Sequence, residues 1–193
     1  TIGVTPLSST NYSVIGKDAN NCTNTTTYSV TVNQLPTLNV TTTNTLLCTG
    51  ETSTLSVLGA TSYTWSDNSN GTDIIVTPTA TTNYTVSGTD VNGCENTAIS
   101  SVTVNTLPSL MTMTTNTMLC TGETATLSVM GASTYTWSTT ENTTDIVVTP
   151  TVQTTYTVDG TDANGCMNTT TITQDVSLCT SITSLVNDAS TNL

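Results

Sequence analysis

The chain of 193 residues carries one basic residue, Lys17, against 13 acids, with no histidine and a net charge of −12. This balance argues against nucleic acid as a partner, which needs a basic footprint, and against docking on an anionic membrane surface. No apolar run reaches the ~18 residues of a membrane-spanning helix. Only 7% of residues are charged, so threonine, serine and asparagine dominate the surface.

In chain order, the first recognisable unit is GKDANNC (16–22), and it returns as GTDVNGC (88–94) and GTDANGC (160–166). Cys22, Cys94 and Cys166 are thus 72 residues apart, as are Cys48 and Cys120. LCTGETSTLSVLGA (47–60) matches LCTGETATLSVMGA (119–132) at 12 of 14 positions. A fixed period of this kind is read before any other feature, and its length suits a small domain with its own core. The expected organisation is a partial repeat over 1–34, complete repeats over 37–105 and 109–177, and a C-terminal tail over 178–193.

Each repeat reads as strands. Tyr63 and Trp65 in SYTWS share a face, as do Ile74 and Val76, and Tyr84 and Val86. Pro78 and Pro150 close a strand because proline removes a ladder donor. Short strands with turn residues between them predict an all-β protein built of tandem immunoglobulin-like antiparallel sandwiches. In that lettering A covers 38–44, B 53–59, C 62–66, E 73–77, F 83–89 and G 96–105, with the next repeat 72 residues on. A short D or C′ strand fits within 66–72, and the opening fragment supplies E, F and G. Tyr63, Trp65, Tyr84, Tyr135, Trp137 and Tyr156 are the expected core aromatics.

The stretches CTGETSTLSVLGATSYTWS (48–66) and IIVTPTATTNYTVSGTDVNGC (74–94) resemble the immunoglobulin-like or PKD-like repeats of Bacteroidota cell-surface adhesins. Gliding adhesins and other type IX-secreted proteins carry such arrays. The resemblance covers residues 1–177 and implies an extracellular structural protein, with the tail similar to the connector preceding a type IX sorting domain.

The recurring heptad allows three readings. As a turn, Asn164-Gly165 separates strands F and G with both residues at positive φ, and Asp162 bonds back to the turn amides. As a calcium loop, Asp90, Asn92, Asp162 and Asn164 supply oxygens, with Glu51 or Glu123 from a neighbouring loop adding one ligand. As a redox site it lacks a basic neighbour to lower the thiol pKa. The turn is the leading expectation, with no cofactor beyond possible calcium.

Six cysteines at periodic places suggest disulfides and an oxidising compartment. The A–B and F–G turns lie at opposite ends of such a sandwich, whereas bonded Cα atoms must approach within about 7 Å. One scheme therefore staples successive repeats, Cys48 to Cys166, and ends with Cys120 to Cys179. A within-repeat scheme pairs Cys48 with Cys94 and Cys120 with Cys166; a third pairs the cysteines in sequence order.

Without histidine or arginine, and with no nucleophile beside a base, the chain is not expected to be an enzyme. The expected function is a stiff stalk segment of an adhesin, partnered by neighbouring repeats, other copies of itself, or a surface glycan or protein. The alternative is a filament subunit whose tail completes the first half-domain of the next chain. That tail shares Leu178, Cys179, Thr180, Thr183 and Ser184 with the A–B segment.

Overall fold

The computed structural model describes residues 1–179. They form sixteen strands and divide into two compact units, Thr1–Val104 and the residues from Asn105 onward. The first unit opens with a hairpin of β1 (Thr10–Lys17) and β2 (Thr23–Val30). Its sandwich follows: β3 (Asn39–Thr42), β4 (Leu46–Cys48), β5 (Ser53–Leu58), β6 (Ser62–Trp65), β7 (Asp73–Val76), β8 (Thr82–Thr89) and β9 (Glu95–Asn105). The second unit holds β10 (Met111–Thr114), β11 (Met118–Cys120), β12 (Ala125–Met130), β13 (Thr134–Trp137), β14 (Asp145–Val148), β15 (Thr154–Thr161) and β16 (Met167–Ser177).

Both sandwiches have one topology, a three-stranded sheet facing a four-stranded one, with orders β3-β5-β7 against β4-β9-β8-β6 and β10-β12-β14 against β11-β16-β15-β13. This is an all-β, immunoglobulin-like architecture. Alternation dictates it: Ser53, Leu55 and Val57 of β5 point inward while Thr54 and Ser56 do not. The inward sets meet in one core per sandwich, Leu55, Val57, Ile74 and Val76 against Leu47, Trp65, Val86 and Val102 in the first. Tyr63, Tyr84, Tyr135 and Tyr156 are 8–9% exposed, and Trp65 and Trp137 2%. Each strand-C tyrosine hydroxyl is bound locally: Tyr63 Oη donates to Ala60 O (2.8 Å) and accepts from Ala60 N (2.7 Å).

Strand A departs from the sequence reading. It does not run unbroken to residue 44 with Cys48 in a loop. β3 pairs antiparallel with β5, then the chain crosses to the other sheet as β4. Thr43 N still bonds to Thr54 O of β5 (3.0 Å), while Thr45 O accepts Thr103 N of β9 (2.8 Å), so the crossing falls at Asn44. The parity of the inward residues records it: Val40 and Thr42 are even, Leu47 odd. In the second sandwich β11 pairs parallel with β16, and Cys120 lies opposite Ser177.

Two further expectations change. Residues 1–4 align with β7 yet form no strand; β7 takes its hydrogen bonds from β5, and the hairpin contains no counterpart of β5. The D or C′ strand reduces to a single bridge, Thr64 to Asn70.

The crossing is supported by different side chains in the two sandwiches. In the first, buried Ser53 Oγ donates to Asn44 O (2.8 Å). The second has Ala125 there, and the core position of Val102 becomes Gln174, fully buried. Thr114 Oγ1 lies 2.9 Å from both Asn116 O and Gln174 Oε1. Thr114→Val strips the buried Gln174 carbonyl of that partner, and an orphaned buried acceptor costs about 1–3 kcal/mol. Chemical denaturation of the variant is expected to show a loss of this size.

Candidate functional site

The F–G turn is a single structural device used three times. In the third copy Asp162 N donates to Cys166 O (2.9 Å) and Gly165 N to Asp162 O (3.2 Å), closing a loop over residues 163–165. This is a type I turn followed by a left-handed residue, the usual form of three-residue hairpin loops. Only the third loop position has positive φ: Gly165 at 84°, Gly93 at 80° and, in the first copy, Asn21 at 66°. The expectation that both Asn164 and Gly165 take positive φ is therefore corrected, because the loop is one residue longer than the primed two-residue turn.

Asp162 Oδ1 accepts Asn164 N (2.8 Å) and Cys166 N (2.9 Å), and Asp90 Oδ1 accepts Asn92 N and Cys94 N at 2.8 Å. The carboxylates thus face their own turn, and each asparagine aligns its backbone amide with the preceding aspartate. Glu51 and Glu123 sit at the other end of their sandwiches, where Glu51 Oε2 accepts Cys48 N (2.8 Å) and Glu123 Oε2 accepts Cys120 N (2.9 Å). Among the described residues no three acidic or thiol groups gather around one point. The geometry makes both acidic motifs turn-closing devices.

Hydrogen bonds hold several aspartates below their ordinary value. For Asp90 the Cys94 amide is the main cause, for Asp73 the Ser56 hydroxyl, and for Asp145 the Ser128 hydroxyl. A folded-state pKa below the unfolded one adds stability that is complete above the unfolded value and lost as pH falls through the folded one. Stability is therefore expected to hold from neutral pH down to about 4 and decline below it. Thermal unfolding across pH 7 to 2, with carboxyl-carbon titration of Asp73, Asp90 and Asp145, checks the sign.

Cysteine states differ at equivalent positions. Cys120 and Cys179 are bonded, with Cα atoms 5.3 Å apart across 59 residues of sequence. Cys48 and Cys166 are also disulfide-bonded residues. Cys22 and Cys94 are free thiols, Cys22 exposed. The within-repeat alternative, Cys48–Cys94 with Cys120–Cys166, is thereby overturned, as is pairing in sequence order. The reason is register: Cys120 lies opposite Ser177 at the far end of β16, while Cys166 precedes its start. Eleven residues at about 3.3 Å each separate them by roughly 35 Å. The parallel pairing of β11 that fixes this distance was not read from the sequence.

An all-β chain of immunoglobulin-like sandwiches, closed at both ends by acid-capped turns and a disulfide, is the class these features define. No family model and no curated protein matches the chain. Solved structures with similar folds include the N-terminal eight immunoglobulin domains of Down Syndrome Cell Adhesion Molecule, at 13% identity and a TM-score of 0.48, covering 86% of this chain and 28% of that one. Others are a Ca2+-stabilised adhesin with which an Antarctic bacterium binds ice (16% identity, TM-score 0.39, covering 88% and 57%) and murine CEACAM1b (13%, 0.35, 73% and 100%).

Proposed function

We propose that the chain is a stiff, disulfide-stabilised stalk segment of an extracellular, cell-surface adhesin, partnered by neighbouring repeats or further copies of itself. The observation that carries this reading is the Cys120–Cys179 bond. Tension along a chain of such sandwiches enters each one at strand A and leaves after strand G. The bond passes that load from the end of β11 to the residue just beyond β16, so the intervening 59-residue separation is shielded from extension. Disulfides persist in oxidising, extracytoplasmic surroundings, and a surface rich in threonine and poor in charge is neutral and well hydrated there.

Cys48 to Cys166 belongs to the same proposal. Its ground is the sequence, in which the A–B end of one repeat and the F–G end of the following one each carry a periodic cysteine. A bond there shields a further stretch, from 48 to 166. Secretion by a type IX route is part of the reading through the sequence resemblance. Any glycan or protein ligand would meet loops such as SDNSNGTD (66–73) and STTENTTD (138–145), which differ between repeats.

Single-molecule stretching of the full chain tests the stalk. At about 3.4 Å per extended residue, reduction is expected to release roughly 200 Å hidden by Cys120–Cys179, and roughly 400 Å in total with the Cys48–Cys166 staple. Equal extension of oxidised and reduced chains would sink the reading. Non-reducing peptide mapping tests the staple separately, which falls if the Cys48 peptide is joined to any peptide other than that of Cys166.

A second reading, the filament subunit, rests on the likeness of the tail to the A–B segment, with Leu178 and Cys179 matching Leu47 and Cys48. In it one chain's tail completes the next chain's first half-domain; residues 180–193 of that tail lie outside the described residues. Polymers that persist after truncation at Cys179 would remove the tail from this role.

A further inference from the structure

The methionines of the chain, Met111, Met113, Met118, Met130 and Met167, all belong to the second sandwich, and all are exposed. Burial alternates along β10, where Thr112 and Thr114 are half-buried and Met111 and Met113 are not, and along β12, where Val129 is buried and Met130 is not. Met111, Met113 and Met130 therefore share the outer face of the three-stranded sheet. Met111 stands directly opposite Met130, and Met113 opposite Ser128. Opposed Cβ atoms of an antiparallel pair are about 5 Å apart and diagonal ones about 7–8 Å, within reach of long side chains. Three thioethers can thus converge above one patch of sheet.

The first sandwich has the same frame without the sulfur. Asn39 stands opposite Leu58 and Thr41 opposite Ser56, so 39, 41 and 58 are the counterparts of 111, 113 and 130. The same close approach pins both frames at this end: a Cβ on Gly59 would lie 2.0 Å from Thr37 O, and one on Gly131 2.0 Å from Ser109 O. Core packing does not call for the change, since these positions are exposed in both sandwiches. Met118 and Met167 lie apart from the trio, on the other sheet. Met167 opens β16, and Met118 is opposite Asp175, roughly 26 Å further along the strand.

We propose that Met111, Met113 and Met130 form a binding site for a soft monovalent cation, copper(I). Thioether sulfur is a neutral, polarisable donor that suits Cu(I), whereas hard cations take oxygen ligands. Thioethers do not pair as disulfides, so these sulfurs stay available in a chain where Cys48, Cys120, Cys166 and Cys179 are cross-linked. The three rotatable bonds of methionine let the side chains close round one ion from an ordinary sheet surface. No carboxylate has to be released: Asp145, across β12 from Met113, keeps its bond from Ser128 Oγ. The net charge of −12 favours the approach of a cation.

The test titrates the full chain, carrying Cys22→Ser and Cys94→Ser, with Cu(I) held reduced by ascorbate. Those substitutions remove the two free thiols, which bind Cu(I) themselves and would mask the site. Methionine methyls labelled with carbon-13 report each sulfur separately. The Met111, Met113 and Met130 signals are expected to shift together and saturate at one ion per chain, with Met118 and Met167 unmoved. Zn2+, which takes thiolate, imidazole and carboxylate ligands, is expected to move none of them. Met111→Asn, Met113→Thr and Met130→Leu each place on the outer face the residue that the first sandwich carries there, so no core contact changes. Each should weaken Cu(I) binding about tenfold or more, since even the partners of metal ligands cost that much; competition with a chromogenic chelator reads the loss. Absence of any shift, an equal shift of all the methionines, or unchanged affinity in Met113→Thr overturns the proposal. So does Zn2+ moving the same three signals, which removes the preference for a soft ion.

Discussion

Cys120→Ser is expected to lower the stability of the second sandwich by about 4 kcal/mol. The bond closes a loop of 59 residues, and the chain-entropy relation for a loop of that length gives about 4 kcal/mol at room temperature. The structure supplies a reason for the loss to be realised. β11 is held to β16 by a short parallel ladder, Met118–Cys120 against Asp175–Ser177, and Thr121 N extends it to Ser177 O at 3.0 Å. Three residue pairs on a terminal strand fray readily, and the disulfide joins the two ends that would separate. Denaturant titration without reductant measures the loss, and hydrogen exchange at Thr121 should rise first. Cys179→Ser should match it, and the double variant should add nothing, because one interaction is removed in each case. Cys22→Ser and Cys94→Ser act on free thiols and should stay within about 0.5 kcal/mol. A loss under 1 kcal/mol for Cys120→Ser would contradict the account.

Trp137→Ala should cost about 3–5 kcal/mol, the range for removing a large buried aromatic. Trp137 is 2% exposed and packs in the core with fully buried Leu119, Leu127 and Val158. Its Nε1 donates to Thr143 O (2.9 Å), tying strand C to the approach of β14. Truncation therefore opens a void between the sheets and removes a bond across the loop. Trp137→Phe keeps most of the volume and loses the bond, so it should cost clearly less. The fluorescence of Trp65 in the other unit serves as an internal reference. Equal losses for the two substitutions would show that the hydrogen bond, and not the packing, dominates.

Much of the architecture was legible because it depends on neighbours in sequence. Alternation placed β5, β6, β7, β8 and β9 within a residue or two, since side chains on successive strand residues point to opposite faces. The acid-capped turn was legible for the same reason: Asp162 reaches amides only two and four residues away. The details that failed are those set by distant partners. Asn164-Gly165 suggested a two-residue turn, but the bracketing pair is Asp162 and Cys166, which only the β15–β16 register decides. Strand A was read as one segment, 38–44, whereas its change of sheet is set by its partners β5 and β9.

The sequence by itself determined the all-β class and the positions of β5 to β9 and β12 to β16, because strand periodicity acts over a few residues. The tertiary structure alone decided where strand A changes sheets and that β11 runs parallel to β16, which sets Cys120 opposite Ser177. Those outcomes depend on which strands meet across the sandwich, a long-range pairing that no local pattern in the sequence specifies.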